Sequence, residues 1–559
     1  MEDVPPDESL VDLLRARRSA TGRYVAVAAD GGQRELHYSS LYDRALAAAA
    51  ILAGHSVAAG SEGARSEVVV LALADPLDFI TAFCAVALAG GVPAPGPARP
   101  SSQPAHRSRL LNIVQASVPR CVVAADDDVA GLEALLAGTG TLVLPVSELL
   151  RAEPSVTMPM VPPNPVCYVQ YTSGSISRPK PIVLRQEQVC AQLRQAAAAF
   201  GERQDSVSVN WVPLFHDMGL VTSVLRPLSS DYTSVILDPF DFVKFPMSWP
   251  AALTKWRATH TSAPDFGYAL CADKARQPER FDLSSLIVAR NAGEVVRPAT
   301  LARFAEVFAP AGFRYETFKP SYGLAEATLT VTACPLAHGP RVIRFSRANL
   351  RLGVVRQAPD EADEADVTAL VSCGPALPGT TVSIRQPGSD IPLTAGGLIG
   401  EVHIAGPQVA EQTDRTPDSG PGRLTGDIGF LWDGELILLG RSRDRFQIRG
   451  QNYYCTEIED TVTASDGRLR PGRVAAFTVT EADDAPALVV LAEFRQGIEP
   501  PSDADRAEIA RTVTGALSRE FGLAVKSTIT VPAGRLPVTT SGKVRREACR
   551  TLFEEQYRT

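Results

Sequence analysis

From residue 67 the chain alternates short apolar runs with segments of helical length. The run after Glu67, Val-Val-Val-Leu-Ala-Leu, reads as a buried strand. Pro76 to Ala89 reads as the helix that follows, and Gly90-Gly91 stops it. Arg120-Cys-Val-Val-Ala, Thr141-Leu-Val-Leu-Pro and Val166-Cys-Tyr-Val-Gln-Tyr repeat the apolar run. A strand without a polar face must be covered on both sides, and parallel neighbours need a crossover, usually a helix. The rhythm therefore predicts an α/β protein with largely parallel sheets. From about residue 368 the texture turns to β, at Leu370-Val-Ser, Thr381-Val-Ser-Ile-Arg and Gly400-Glu-Val-His-Ile. From about 441 a smaller module is expected, with strands near 474–480 and 487–494 and a helix near 503–520. Pro93 to Pro104, rich in Pro, Ala and Ser, reads as a surface loop, and the acidic stretch 359–366 as an exposed one.

Composition limits the function classes. A chain of 559 residues with 45% apolar content builds large cores and excludes global disorder. A net charge of −8 argues against a nucleic-acid or anionic-membrane binder. The acidic start lacks the apolar core of a signal peptide, and the longest apolar stretch, Phe79 to Val92, is too short to span a bilayer. Nine scattered cysteines without C-x-x-C suggest reduced, buried thiols in a cytoplasmic protein, and seven dispersed histidines show no zinc spacing. Only seven of the 55 basic residues are lysine, so each lysine invites a question.

Six segments carry chemistry. Tyr171-Thr-Ser-Gly-Ser-Ile-Ser-Arg-Pro-Lys180 follows a strand and suits a phosphate-gripping loop, with backbone N–H groups, hydroxyls and one ammonium as donors. Read alone, it is equally a polar turn. Asn210-Trp-Val-Pro-Leu-Phe-His216-Asp-Met-Gly-Leu sets a histidine that positions a substrate or is simply structural. Arg290-Asn-Ala-Gly-Glu294 and Ser321-Tyr-Gly-Leu-Ala-Glu326 each put a glycine and a glutamate past a strand, where α/β sheets bind ligands. The carboxylates suit Mg²⁺, or serve as solvated loop residues or caps. Leu424-Thr-Gly-Asp427-Ile-Gly, read as a tight turn, offers a carboxylate for ribose hydroxyls, and Arg441 offers a fork for ribose or phosphate. Lys543 sits on a Thr-Ser-Gly turn near the C-terminus.

In order and spacing these segments resemble the adenylate-forming superfamily of acyl-CoA synthetases, adenylation domains and luciferases. The closest likeness is to the fatty acyl-AMP ligases. The likeness runs from about residue 10 to 555. It rests further on Trp211-Val-Pro-Leu-Phe-His-Asp-Met-Gly-Leu, Val295-Val-Arg-Pro-Ala-Thr-Leu-Ala-Arg-Phe, Tyr322-Gly-Leu-Ala-Glu-Ala-Thr and Leu370-Val-Ser-Cys-Gly, and on an added segment at 340–370. The resemblance implies an N-terminal adenylation domain over 1–440, with two parallel-type α/β subdomains and a β-subdomain. It implies a mobile α+β lid over 441–559, hinged near Arg443. It implies that a carboxylic acid attacks the α-phosphate of Mg-ATP to give acyl-AMP and pyrophosphate. The acyl group then passes to the phosphopantetheine thiol of an acyl carrier protein.

By position, Thr172, Ser173, Gly174, Ser175 and Lys180 would hold the distal phosphates. Gly293, Glu294, Ser321, Tyr322, Gly323 and Leu324 would frame the adenylate, Glu326 would bind Mg²⁺, and Asp427 and Arg441 would hold the ribose or phosphate. Lys543 would bridge the α-phosphate and the attacking carboxylate. His216, Met218, Gly219, Asp265 and Tyr268 would border the acyl group. Two departures stand out. Ile176 replaces a usual threonine and Pro181 a usual glycine in the phosphate segment. Asp265 replaces a common asparagine; it reads first as a cap or an exposed residue, with pairing to an amine on the substrate as the alternative. An amino, aryl or short-chain acid, an acceptor such as coenzyme A or an amine, and a non-catalytic nucleotide-binding relative remain as rival readings.

Overall fold

The structure is a computed structural model that describes residues 9–557. Excepted are 29, 56, 58–66, 101–102, 152–160, 173–179, 390, 394–396, 412–420, 449–450, 481–485, 496–501 and 540–542. An eight-stranded sheet forms its centre, in the order Thr330–Ala333, Phe318–Gly323, Val288–Asn291, His260–Ala263, Val207–Asn210, Thr233–Leu237, Arg23–Val27 and Gln33–His37. The six inner strands run parallel and the two edge strands antiparallel. A second sheet, Val92–Pro95, Val68–Ala72, Cys121–Ala124 and Leu142–Pro145, is parallel throughout. Helix Pro76–Leu88 lies buried against these layers. Its N-terminus is set by Asp75, whose carboxylate accepts from the Leu77 and Asp78 N–H groups, with proline in the first turn.

Two local expectations fail. Val92–Pro95, expected to open a surface loop, is a fully buried edge strand. Its prolines are tolerated because an edge strand leaves one side of its backbone unpaired. Val166–Thr172 is not parallel but pairs antiparallel with Lys180–Arg185 in a separate hairpin.

Six antiparallel strands, from Val342–Ser346 to Glu435–Arg441, form a third layer. Beyond it, residues 446–553 build two apolar clusters of their own around the sheet Leu469–Thr480, Pro486–Phe494 and Val525–Val531. Helices Cys455–Ser465, Asp503–Phe521 and Arg546–Gln556 cover it. All nine cysteines are buried thiols outside any disulfide. Among the described residues no helix is long and apolar enough to cross a membrane.

Candidate active site

The inner strands of the eight-stranded sheet end on one edge, and the polar residues leave the sheet there. Asn210 is followed by Trp211–His216, Leu237 by Asp238, Ala263 by Pro264-Asp265, and Asn291 by Gly293-Glu294. With Ser321, Tyr322 and Gly323 these line a cleft of about 2910 Å³, to which Arg441, Arg443 and Lys543 also contribute. Loops at the carboxyl ends of parallel strands bind ligands because the strands themselves cannot leave the core.

Tyr322 and Asp427 come from different sheets. The Tyr322 hydroxyl donates to the Asp427 carboxylate at 2.7 Å, and Arg441 Nε lies 3.2 Å from its other oxygen. Asp427 does not sit on a tight turn. It lies within strand Arg423–Trp432 directly opposite Arg441, so the ion pair is a cross-strand neighbour pair. Burial and then Asp427 push the Tyr322 phenol well up, and Asp427 raises Arg441 against the opposing effect of burial. Glu401 steadies this corner by accepting from the Gly426 N–H at 2.9 Å.

Gly323 permits no side chain, since a Cβ there would lie 1.7 Å from the Leu329 carbonyl oxygen. Leu324 returns the chain by donating to that same oxygen. Glu326 lies in the short helical turn Ala325–Ala327, near enough to Arg441 to raise it. Just beyond, Thr328 has φ +62° and ψ −53°, and Leu329 N–H bonds back to Ala327. This is the strained sense of γ-turn, which a buried β-branched residue adopts only under constraint from its surroundings. Ser321 is buried, accepts from Arg290 Nε at 3.3 Å and donates to the Lys319 carbonyl. Burial pushes the Arg290 guanidinium down to about 9.

His216 precedes the short helix Asp217–Leu220; its Nδ1 lies 2.6 Å from the Asp217 carboxylate, which accepts from the Met218 N–H at 2.7 Å. Burial alone would raise the Asp217 carboxyl. The His216 imidazole, the Met218 N–H and the Lys543 ammonium together hold it below the ordinary value. Met218 is buried with its methyl 3.1 Å from the Cβ position of Gly293, which has φ +83°. The Lys543 ammonium donates to the Gly293 carbonyl; its backbone is braced by Thr539, whose hydroxyl accepts from the Lys543 N–H at 3.0 Å and whose N–H donates to the Lys543 carbonyl at 2.7 Å. Thus residues 250 positions apart meet at the end of the parallel sheet. Glu294 accepts from Phe266 N–H at 3.3 Å. Arg443, exposed in the turn Ser442–Asp444, is lowered by partial desolvation and by Arg441.

Three acyl-site expectations change. Tyr268 lies in the aromatic core, between the Trp249, Phe304 and Phe318 rings, and donates to the Arg290 carbonyl. Gly219 backs onto the Val212 and Pro213 carbonyls. Asp265 is 1% exposed, and its oxygens accept from Asn291, Thr300, and the Arg297 backbone and guanidinium at 2.8–3.3 Å. A buried carboxylate so engaged is a structural anchor and leaves no place for a substrate amine.

Of the phosphate segment, Thr172 closes its strand opposite an exposed Lys180. Ser173, Gly174, Ser175 and Ile176 lie outside the described residues. Sequence reasoning passed over Arg109, which donates to the Tyr171 carbonyl at 2.9 Å and stacks over Phe215 beside His216. Nothing in its local sequence marks it. It also passed over Asp217 and Arg297, although both stand inside strings already singled out.

The model of the AMP-binding enzyme family matches residues 14–412. The medium-chain-fatty-acid–[acyl-carrier-protein] ligase JamA of Moorena producens is 32% identical, over 99% of this chain and 96% of that one. A 4-hydroxyphenylalkanoate adenylyltransferase of Mycobacterium marinum is also 32% identical, over 99% and 92%. A solved structure from studies of fatty acyl-adenylate ligases of E. coli and L. pneumophila superposes with a TM-score of 0.89 at 27% identity, covering 99% of both chains. With its parallel-sheet edge, its Tyr322–Asp427–Arg441 corner and a match over most of its length, this chain belongs to the AMP-binding enzyme family.

Proposed function

We propose that the chain activates an acyl carboxylic acid as acyl-AMP, releasing pyrophosphate, and passes the acyl group to the phosphopantetheine thiol of an acyl carrier protein. The observation that carries this reading is the Lys543 ammonium on the Gly293 carbonyl, at the same cleft as Tyr322, Asp427 and Arg441. Negative charge grows on the α-phosphate and on leaving pyrophosphate, so a fixed cation at that point lowers the barrier most. Asp427 and Arg441 are the ribose-side partners, and Gly293, Tyr322 and Gly323 line the same cleft on the side of the base. Glu326 suits Mg²⁺ as a single carboxylate, because Mg²⁺ takes most of its ligands from phosphate and water. Residues 441–559 act as the lid, turning about Arg443 between the two half-reactions.

The engagement of Asp265 removes the main support for an amino-acid substrate. The carrier-protein acceptor is favoured by JamA, a ligase named for that acceptor and alike over nearly its whole length. Pyrophosphate release is to be measured over a panel of fatty, aryl-alkanoic and amino acids, followed by transfer to holo-carrier protein, coenzyme A and free amines. Release with a fatty or aryl-alkanoic acid and transfer to the carrier are expected. Release with none of them defeats the catalytic reading, and transfer to coenzyme A alone defeats the carrier.

A further inference from the structure

The Asp265 carboxylate holds Arg297 twice, by the backbone N–H at 3.2 Å and by the guanidinium at 3.3 Å. The other side of that guanidinium reaches out of the large sheet's domain. Arg297 Nε lies 2.6 Å from Asp460, on helix Cys455–Ser465 of the C-terminal unit. The neighbouring Glu459 is buried and grips Arg546 through two bonds of 2.6 Å. Arg546 opens the helix Arg546–Gln556, three residues after Lys543. A continuous path of packed, charge-paired groups therefore runs from the buried sheet through Arg297 and Asp460 to the segment that carries Lys543.

Resting on the reading that Lys543 serves adenylation, we propose that Arg297 and Asp460 form a latch selecting the arrangement of the C-terminal unit in which Lys543 meets the cleft. Arg297 is thus a positioning residue for the first half-reaction. Asp265 and Thr300 fix one end of the latch at no conformational cost to the moving part, because Asp265 is already buried and bonded. Asp460 is the exposed, releasable end, 46% accessible at its side chain. A contact made in one arrangement and broken in the other shifts the equilibrium by its own differential strength. For a half-exposed pair that is at most about fivefold.

The test replaces the exposed partner, Asp460→Asn, so that the buried anchor and the fold are untouched. Acyl-AMP formation, read as pyrophosphate release without acceptor, should fall by up to about fivefold. Transfer from pre-formed acyl-AMP to holo-carrier protein should stay unchanged or quicken. The charge-conserving variant Asp460→Glu should retain most of the first step. An equal loss in both half-reactions, or no loss in either, overturns the latch.

A second readout does not depend on activity. Because the nine native cysteines are buried, cysteines placed at exposed Arg107 and Arg511 accept spin labels selectively. One dominant inter-label distance is expected for the otherwise native chain, and a second population in Asp460→Asn. An unchanged distribution rejects the latch. If the labels respond but no acid supports pyrophosphate release, the latch stands and the catalytic reading fails.

Discussion

Lys543 and Lys319 show how differently a scarce residue is used. Lys319 is 1% exposed, and its ammonium is caged by the carbonyls of Glu316, Pro335, Leu336 and His338, so it staples a loop. Lys543 instead reaches across the cleft to a carbonyl that belongs to the other unit. A planar guanidinium does not replace a compact ammonium at such a point. Lys543→Ala is expected to lower acyl-AMP formation by about 10²–10³ while nucleotide binding persists, and Lys543→Arg to do nearly the same. Pyrophosphate release alongside calorimetric ATP binding checks both, and full activity in either variant refutes the assignment. At Gly323 the expectation is steric. Ala at 323 must displace the Leu329 backbone and with it the adjacent Tyr322–Asp427 contact, costing about 1–3 kcal/mol, to be read as a lower melting temperature and weaker ATP binding.

Helix Cys455–Ser465 gathers three carboxylates with three tasks. Asp460 faces Arg297, Glu459 grips Arg546, and Glu457 faces the segment 340–370, where Arg347 and Arg351 approach Glu520. The Glu459–Arg546 pair is largely buried and also donates order to Ala476, whose N–H bonds Glu459 at 3.0 Å. Removing one partner leaves a buried charge unmatched, so Arg546→Ala should destabilise the C-terminal unit by about 3 kcal/mol. Chemical denaturation followed by a probe in that unit measures this, and a change below about 0.5 kcal/mol would contradict it. The strand–helix texture of the elements was legible because apolar periodicity is local. Val92–Pro95 was not, because whether a proline-rich run is buried depends on the sheet edge it meets.

At the scale of the molecule, the contact between the C-terminal unit and segment 340–370 carries a pH dependence. Burial pushes the Glu457 carboxyl up to about 7, against the pull of Arg347 and Arg351 and with the push of Asp460 and Glu520. A carboxyl raised in the folded state favours folding while protonated. Its contribution is complete below the ordinary value of 4.5 and is lost as pH rises towards about 7. Glu457→Gln should therefore raise the melting temperature at pH 8 and lose that advantage towards pH 4.5. Parallel thermal scans at the two pH values decide it, and an equal shift at both would show that the charge is irrelevant.

What the sequence by itself determined was the class of sheet and the identity of the chemical groups, since both depend on short-range pattern. The motifs at 293, 322, 427 and 543 were readable one by one. Tertiary structure alone decided that they share one cleft, because their meeting rests on long-range strand order and on a unit docked across it. It also decided between the readings of Asp265 as cap, exposed residue or amine partner, making it a buried anchor, because a carboxylate's role depends on which donors surround it. Those donors, Asn291, Arg297 and Thr300, come from 26 to 35 residues away.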